Sequence, residues 1–231
     1  MIEMLQILNP FRAAEEFRNL KKEKKWMLAI LMVVIPGLLT VAGNALEQRK
    51  SQQLNMQLVE EMGTIPDAQK EAVGDIQGLI VGIGIAVGIL SIFIVWVVKS
   101  VVFHVLGRIF DTQKLPVDIS STIHLVAFTY LPFFFKGILD LINGFRYQPP
   151  SYEVFLQQVR NPDVVASFLS EHNIFWLWAF VLMVIAVREQ FSLSNTRAFL
   201  VVFIPYLIVF MIQAALASLG SQLGGMQLGG S

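Results

Sequence analysis

The sequence contains no cysteine and few charged residues. None of its 231 residues is Cys, and 15% are charged, against roughly 25% in soluble proteins. The lack of Cys excludes disulfides, Cys-ligated metals and thiol nucleophiles. The 17 basic and 17 acidic residues cancel, so net charge gives no indication of a nucleic-acid partner.

Signatures of enzymes are also missing. The sequence has no HExxH, no GxSxG, no P-loop and no paired aspartates in an apolar run. His104, His124 and His172 lie on different segments, without the spacing of metal ligands. We therefore expect neither an enzyme nor a cofactor or metal site.

Long apolar runs dominate the chain, which is 55% hydrophobic. Residues 78–98 carry no charge, and a run of this length crosses the hydrocarbon of a bilayer as a helix. The sequence predicts an all-α, multi-pass bundle in the cell membrane, or in an endomembrane if the source is eukaryotic. The expected spans are about 26–43, 78–98, 119–142, 174–187 and 198–219.

The fourth span is the shortest, and the placement of the basic residues supports the prediction that it crosses the membrane. At 1.5 Å per residue it reaches only about 21 Å, short of a hydrocarbon core of roughly 30 Å. With five spans and a cytoplasmic N-terminus, eleven basic residues lie inside and five outside, as the positive-inside tendency requires. The inner eleven are Arg12, Arg18, Lys21, Lys22, Lys24, Lys25, Lys99, Arg108, Lys114, Arg188 and Arg197. The C-terminus then lies outside, after a short Gly-rich tail at 220–231.

Residues 1–25 are predicted to form a cytoplasmic amphipathic helix. Asn9 supplies a cap and Pro10 a first helical residue, and we expect the helix to lie along the inner membrane surface. A basic cluster at its end could bind anionic lipid or a partner, or it could be the ordinary flank of a first span. The cluster consists of Arg18, Lys21, Lys22, Lys24 and Lys25.

Glycine and proline mark two further features of the spans. Glycines in the second span favour close helix packing, so we expect this helix at the centre of the bundle, with a conformational hinge as the alternative. These glycines are Gly78, Gly82, Gly84 and Gly88. Pro36, Pro132 and Pro205 each predict a kink in an ascending span.

Two polar groups are the candidate sites. Lys136 and Asp140 are four residues apart on the third span; they could be a snorkelling pair, a transport site or a contact between helices. Ser100, His104 and Arg108 form a stripe beyond the second span. It could be a solvated face, or a surface that binds phosphate or a partner.

At this level the chain resembles the YIP-domain family, the Rab-interacting Yip-type integral membrane proteins with five spans. The resemblance rests on NPFRAAEEFRNLKKEKKW, VVFHVLGRIFDTQ, HLVAFTYLP and VREQFSLSNTRAFLVVFIPYLIVF. The sequence lacks the Asp-Leu-Tyr-Gly-Pro-like motif of the eukaryotic trafficking members and is more similar to the prokaryotic-like branch. The resemblance implies membrane lipids, other membrane proteins or a small GTPase as partners.

Two functions remain open at this stage. The first is a non-enzymatic protein that organises membrane or partner proteins. The second is a small transporter or channel component that uses Lys136 and Asp140. The oligomeric state is not indicated by the sequence.

Overall fold

The computed structural model describes residues 3–61, 67–114, 116–151, 154 and 173–228. A 3-10 helix, Glu3–Leu8, precedes seven α-helices in this part of the chain. They are α1 (Pro10–Lys22), α2 (Trp26–Glu61), α3 (Asp67–Phe110), α4 (Ile119–Phe128), α5 (Leu131–Arg146), α6 (Ile174–Phe191) and α7 (Asn195–Leu228). The prediction of an all-helical bundle is confirmed.

Four helices are long and apolar enough to cross a membrane, and a bent pair brings the number to five. The four are Trp26–Gln52, Gly82–Phe110, Ile174–Phe191 and Asn195–Gln213, and the pair is α4 with α5, which meet at 44°. The number agrees with the five predicted spans. Several bounds differ from expectation: the first and second candidate spans run to Gln52 and Phe110, beyond the predicted 43 and 98, and α6 continues to Phe191. Helix α7 runs to Leu228, so the predicted Gly-rich tail is helical to that residue.

The break between α4 and α5 comes just before Pro132. Helix α4 ends at Phe128, and Pro132 lies in the first turn of α5, where its missing N–H costs no helical hydrogen bond. Pro36 and Pro205 lie inside the continuous helices α2 and α7. The third span is therefore the one in which a proline coincides with a break in the helix.

Helix α4 occupies the centre of the bundle, so the expectation of a central second span is wrong for the described residues. Seven of the ten α4 residues are buried, and α4 contacts α1, α2, α3 and α6. In α3, a Cβ added to Gly82 or Gly84 would meet no atom within 4 Å, and one at Gly88 would approach only Val41 of α2. Gly78 lies outside the residues whose surroundings are described.

The close packing expected of α3 is found instead between α2 and α5, which run in the same direction. A Cβ on Gly43 would lie 2.6 Å from the Asp140 carbonyl oxygen, and one on Gly144 would lie 2.5 Å from the Gly43 carbonyl oxygen. One on Gly137 would lie 2.9 Å from the carbonyl oxygen of Pro36. Glycine at these positions lets the two backbones approach closely.

Helix α1 packs its apolar face against the protein, and its expected position along the inner membrane surface stays a prediction. Asn9 caps it as predicted, accepting a hydrogen bond from the Phe11 N–H. Its buried residues are Ala13, Phe17 and Leu20, which recur at the helical spacing of four and three residues. Because α4 and α6 supply an apolar surface for this face, the stripe is covered by protein.

Candidate functional site

Helix α1 runs along α6 in the same direction and is attached to it near both ends. The Trp178 indole N–H donates to the Leu8 carbonyl at 3.0 Å. At the other end of α6, Lys21 Nζ donates to the carbonyl oxygens of Glu189 (3.3 Å) and Gln190 (2.9 Å). The last carbonyls of a helix have no partner within it and attract cations, so Lys21 completes the C-terminal end of α6.

The other predicted basic residues join this end of the bundle to the neighbouring loops. Arg18 Nε lies 3.0 Å from a Glu189 carboxylate oxygen. Lys24 Nζ lies 3.0 Å from Asp118 Oδ2 and 2.7 Å from Ser120 Oγ. The N-terminal segment is therefore attached to the end of α6 by Arg18 and Lys21, and to the start of α4 by Lys24. We call this end of the molecule the basic end.

The remaining two residues of the basic cluster are exposed. Lys22 and Lys25 both line a groove of about 530 Å³ beside α1, together with Gln6, Ile7, Glu16, Asn19, Leu20 and Glu23. The Lys25 side chain lies 3.4 Å from Glu23, while its backbone N–H donates to His124 Nε2 at 2.9 Å. The groove thus carries charges of both signs beside α1.

A buried polar network continues from this attachment into the bundle. The side chain of Gln190 donates to Thr122 Oγ1 at 3.4 Å and accepts from Ser121 Oγ at 3.4 Å. Thr122 Oγ1 in turn lies 2.9 Å from His104 Nδ1. Since the Gln190 carbonyl accepts from Lys21, one chain of contacts connects α1, α6, α4 and α3.

This network corrects the interpretation of the polar stripe on α3. Ser100 is fully buried and donates to the Trp96 carbonyl at 2.7 Å, so it cannot form part of a surface. His104 is half-buried and contacts α4, and only Arg108 of the three is exposed. The stripe turns inward because α4 presents Thr122, a partner that sequence periodicity could not reveal.

Lys136 and Asp140 meet as predicted and also join two helices. Lys136 Nζ lies 2.6 Å from Asp140 Oδ2, and the side chains are 25% and 19% exposed. The same oxygen accepts from Thr40 Oγ1 of α2 at 2.9 Å. Both charges are therefore occupied within the chain, which favours a clamp between α2 and α5.

A second intramembrane cation was missed as a site at the sequence level. Lys99 Nζ lies 5.3 Å from the ring centroid of Tyr130 and 5.2 Å from that of Tyr206. The Tyr130 hydroxyl is buried and has no hydrogen-bond partner among the described residues. No acidic side chain of the described chain forms a salt bridge with Lys99.

Aromatic contacts stabilise the Lys99 ammonium in place of a counterion. A charge inside a span costs about 3 kcal/mol at the helix centre and less toward its ends, while each cation–π contact contributes roughly 1 kcal/mol. Together the two contacts offset about 2 kcal/mol of this cost. Two signals were present in the sequence: Lys99 directly follows 21 uncharged residues, and each tyrosine lies within two residues of a kink proline.

A comparison with known protein families matches residues 5–217 to the Yip1 domain. The chain belongs to the Yip1 domain family. This confirms the resemblance found in the sequence, and it fits a multi-pass membrane protein whose apolar helices contact lipid. No curated protein and no solved structure matched the chain in the corresponding comparisons.

The matched Yip1 domain begins at residue 5, so it includes α1 as well as the membrane helices. The attachment of α1 to α6 therefore lies within the domain. Among the described residues, no group of three His, Asp or Glu side chains could hold a metal ion. The exposed apolar helices offer contacts to lipid.

Proposed function

We propose that this Yip1 domain protein is a non-enzymatic membrane organiser that presents the outer face of α1 to a partner protein. The proposal rests on how α1 is attached to the membrane helices. Its apolar face is buried, Lys21 and Arg18 fix it to α6, and the opposite face is exposed. An adaptor needs a surface of this kind, since the membrane bundle supplies the anchor and α1 the contact.

The outer face of α1 has the composition of a recognition surface. Arg12, Glu15, Asn19 and Lys22 are exposed along it, at spacings that place them on one side of a helix. Charges of both signs fix the orientation in which a partner binds and disfavour binding by other proteins. Phe11, which is 94% exposed, adds a large apolar side chain of the type found at interface hot spots.

We infer that the basic end faces the cytoplasm. Contacts bring Lys21, Lys24, Arg188 and Arg197 to the end of the bundle that also holds the loop after α3. Basic residues gather on the cytoplasmic side of membrane proteins, where anionic lipid attracts them. The partner is then another membrane protein or a cytoplasmic protein, and a small GTPase is the class that the family resemblance adds.

Photo-cross-linking in native membranes tests the proposal. A photoreactive amino acid replaces Glu15 on the outer face of α1, and a control replaces Val87, an exposed apolar residue of the membrane helix α3. We expect Glu15 to yield a discrete protein adduct and Val87 to yield lipid adducts. If the Glu15 probe reacts only with lipid or with its own chain, α1 is not a partner surface.

Transport remains the second candidate, and it rests on Lys136 and Asp140. Their mutual contact and the bond from Thr40 occupy both charges, whereas a transport site needs groups that are available to a substrate. The contacts therefore support the clamp over the transport role.

A further inference from the structure

Helix α1 runs beside α6 over most of the length of that helix, Ile174–Phe191. The Trp178 indole N–H donates to the Leu8 carbonyl, just before α1, and Lys21 at the end of α1 donates to the Gln190 carbonyl. The two contacts on α6 lie about 18 Å apart along its axis, at 1.5 Å per residue. Because α6 is long and apolar enough to cross a membrane, a crossing α6 carries α1 into the membrane beside it.

The outer face of α1 differs from the surface that α6 exposes at the same depth. The exposed side chains of α6 are apolar, as at Leu177 and Val181, and they suit lipid. On α1, by contrast, Arg12, Glu15 and Asn19 are exposed. A charged side chain at the depth of a span is costly unless it pairs or faces polar surroundings, so this face of α1 needs a neighbour other than lipid.

Contacts within the chain do not neutralise the face. Among the described residues, neither Arg12 nor Glu15 forms an ion pair, whereas Arg18, nearer the end of α1, is paired with Glu189. Arg12 and Glu15 are three residues apart, so they lie on one side of the helix. A neighbour that pairs with both must present a carboxylate and a basic group at this depth.

We propose that the partner recruited by the outer face of α1 is an integral membrane protein, which covers this face within the bilayer. The inference rests on the proposed partner surface and selects one of its two partner classes. The partner places a carboxylate beside Arg12 and a basic side chain beside Glu15, and Phe11, which is 94% exposed, packs among its apolar side chains. Helix α1 then lies between α6 and the partner, and not along the inner membrane surface.

A second copy of the chain fits this role less well. Two copies related by an axis along the membrane normal form an interface from the same patch on each. Steep α1 helices in such a pair are parallel and place Arg12 opposite Arg12 and Glu15 opposite Glu15. Like charges in contact repel, so a different membrane protein is the better occupant.

Thiol labelling measures the depth of the face, because the chain has no cysteine of its own. Glu15→Cys is treated in native membranes with a membrane-impermeant maleimide applied to the cytoplasmic side. Gln113→Cys, in the exposed loop after α3, is the control. We expect Glu15→Cys to react at least tenfold more slowly than the control, and to react fully once detergent disperses the membrane. Equal rates in native membranes would show that water reaches the face and would overturn the proposal.

The photo-cross-link at Glu15 then identifies the class of partner. The protein found in the adduct should resist extraction by alkaline carbonate from membranes that were not irradiated, as integral proteins do. A partner that carbonate extracts overturns this inference and leaves the partner surface on α1 standing. An adduct of twice the mass of the chain makes a second copy the occupant and also overturns it. Absence of any protein adduct refutes the partner surface as well.

Discussion

Lys21 of α1 donates to the carbonyl oxygen of Gln190 at 2.9 Å, and the Gln190 side chain donates to Thr122 at 3.4 Å. One residue at the end of α6 thus holds α1 on one side and α4 on the other. Because the first contact uses a backbone carbonyl, it depends on Lys21 and on the end of α6, and not on the identity of residue 190. The attachment of α1 can therefore be weakened at Lys21 without disturbing the buried network.

The first prediction concerns this attachment. Lys21→Met keeps the apolar part of the side chain and removes both hydrogen bonds to α6. Because the side chain is half-buried, we expect a loss of only about 1 kcal/mol in the free energy of unfolding, with faster proteolysis within α1. Lys22→Met, a change at the exposed neighbour, is the control. Equal proteolysis of the two variants would show that Lys21 does not hold α1.

A second prediction tests the seam between α2 and α5, where Gly43, Gly137 and Gly144 let the two backbones approach closely. A Cβ at Gly43 or Gly144 would approach backbone atoms within 2.6 Å, and backbone cannot give way as a flexible side chain can. Gly43→Ala and Gly144→Ala should each destabilise the protein by about 1–3 kcal/mol. Gly82→Ala is the matched control, since a Cβ there meets no atom of the described residues within 4 Å. Unfolding in detergent measures the difference, and a Gly43→Ala variant as stable as the control would refute the close seam.

The third prediction distinguishes a clamp from a transport site. Lys136→Leu leaves Asp140 with only Thr40, and an unpaired carboxylate in the membrane is costly. The Lys136→Leu/Asp140→Leu double variant removes both charges, so it should be more stable than Lys136→Leu alone. We also expect it to retain the function of the protein in cells. Loss of function in a stably folded double variant would favour transport.

A fourth prediction follows from Asp118, in the loop before α4. Hydrogen bonds from Ser120, and then the contact with Lys24, lower the pKa of its carboxyl to about 2 from 3.8. A pKa depressed in the folded state contributes stability above the unfolded value, and this stability is lost as the pH falls through the folded value. The wild type should therefore be more stable to unfolding than Asp118→Asn at neutral pH, and this difference in stability should be lost as the pH falls from about 4 to about 2.

Asn is the informative replacement at position 118 because it removes the charge and can still cap α4. The measurement is the difference in unfolding temperature between the two proteins across this range, in a detergent that tolerates acid. Above about pH 5 the difference should be constant. Parallel curves down to pH 2 would show that the contact makes no pH-dependent contribution.

The membrane helices were predictable because their signal is local. Uncharged runs of sufficient length and the placement of lysine and arginine produced the five spans, and Asn9 with Pro10 marked the start of α1. Lys136 and Asp140 could be paired in advance because they are four residues apart on one helix. Each of these inferences uses neighbours within a single segment.

Contacts between segments could not be predicted from the sequence. The glycines of α3 looked suited to packing, yet a Cβ on Gly82 or Gly84 would meet no described atom within 4 Å, while Gly43 and Gly144 let α2 and α5 pack closely. Small residues indicate where a backbone can be approached but not which helix approaches it. In the same way, Lys99 was counted only for its charge, since Tyr130 and Tyr206 reach it from other helices.

The central claim is that the exposed face of α1 recruits a partner, and charge reversal on that face tests it most directly. Arg12→Glu, Glu15→Lys and Lys22→Glu, combined in one chain, change exposed side chains and leave Lys21 and the buried face of α1 intact. The account predicts at least a tenfold loss of the partner recovered with the chain from native membranes, at an unchanged unfolding temperature. Undiminished recovery of the partner at that temperature would contradict it.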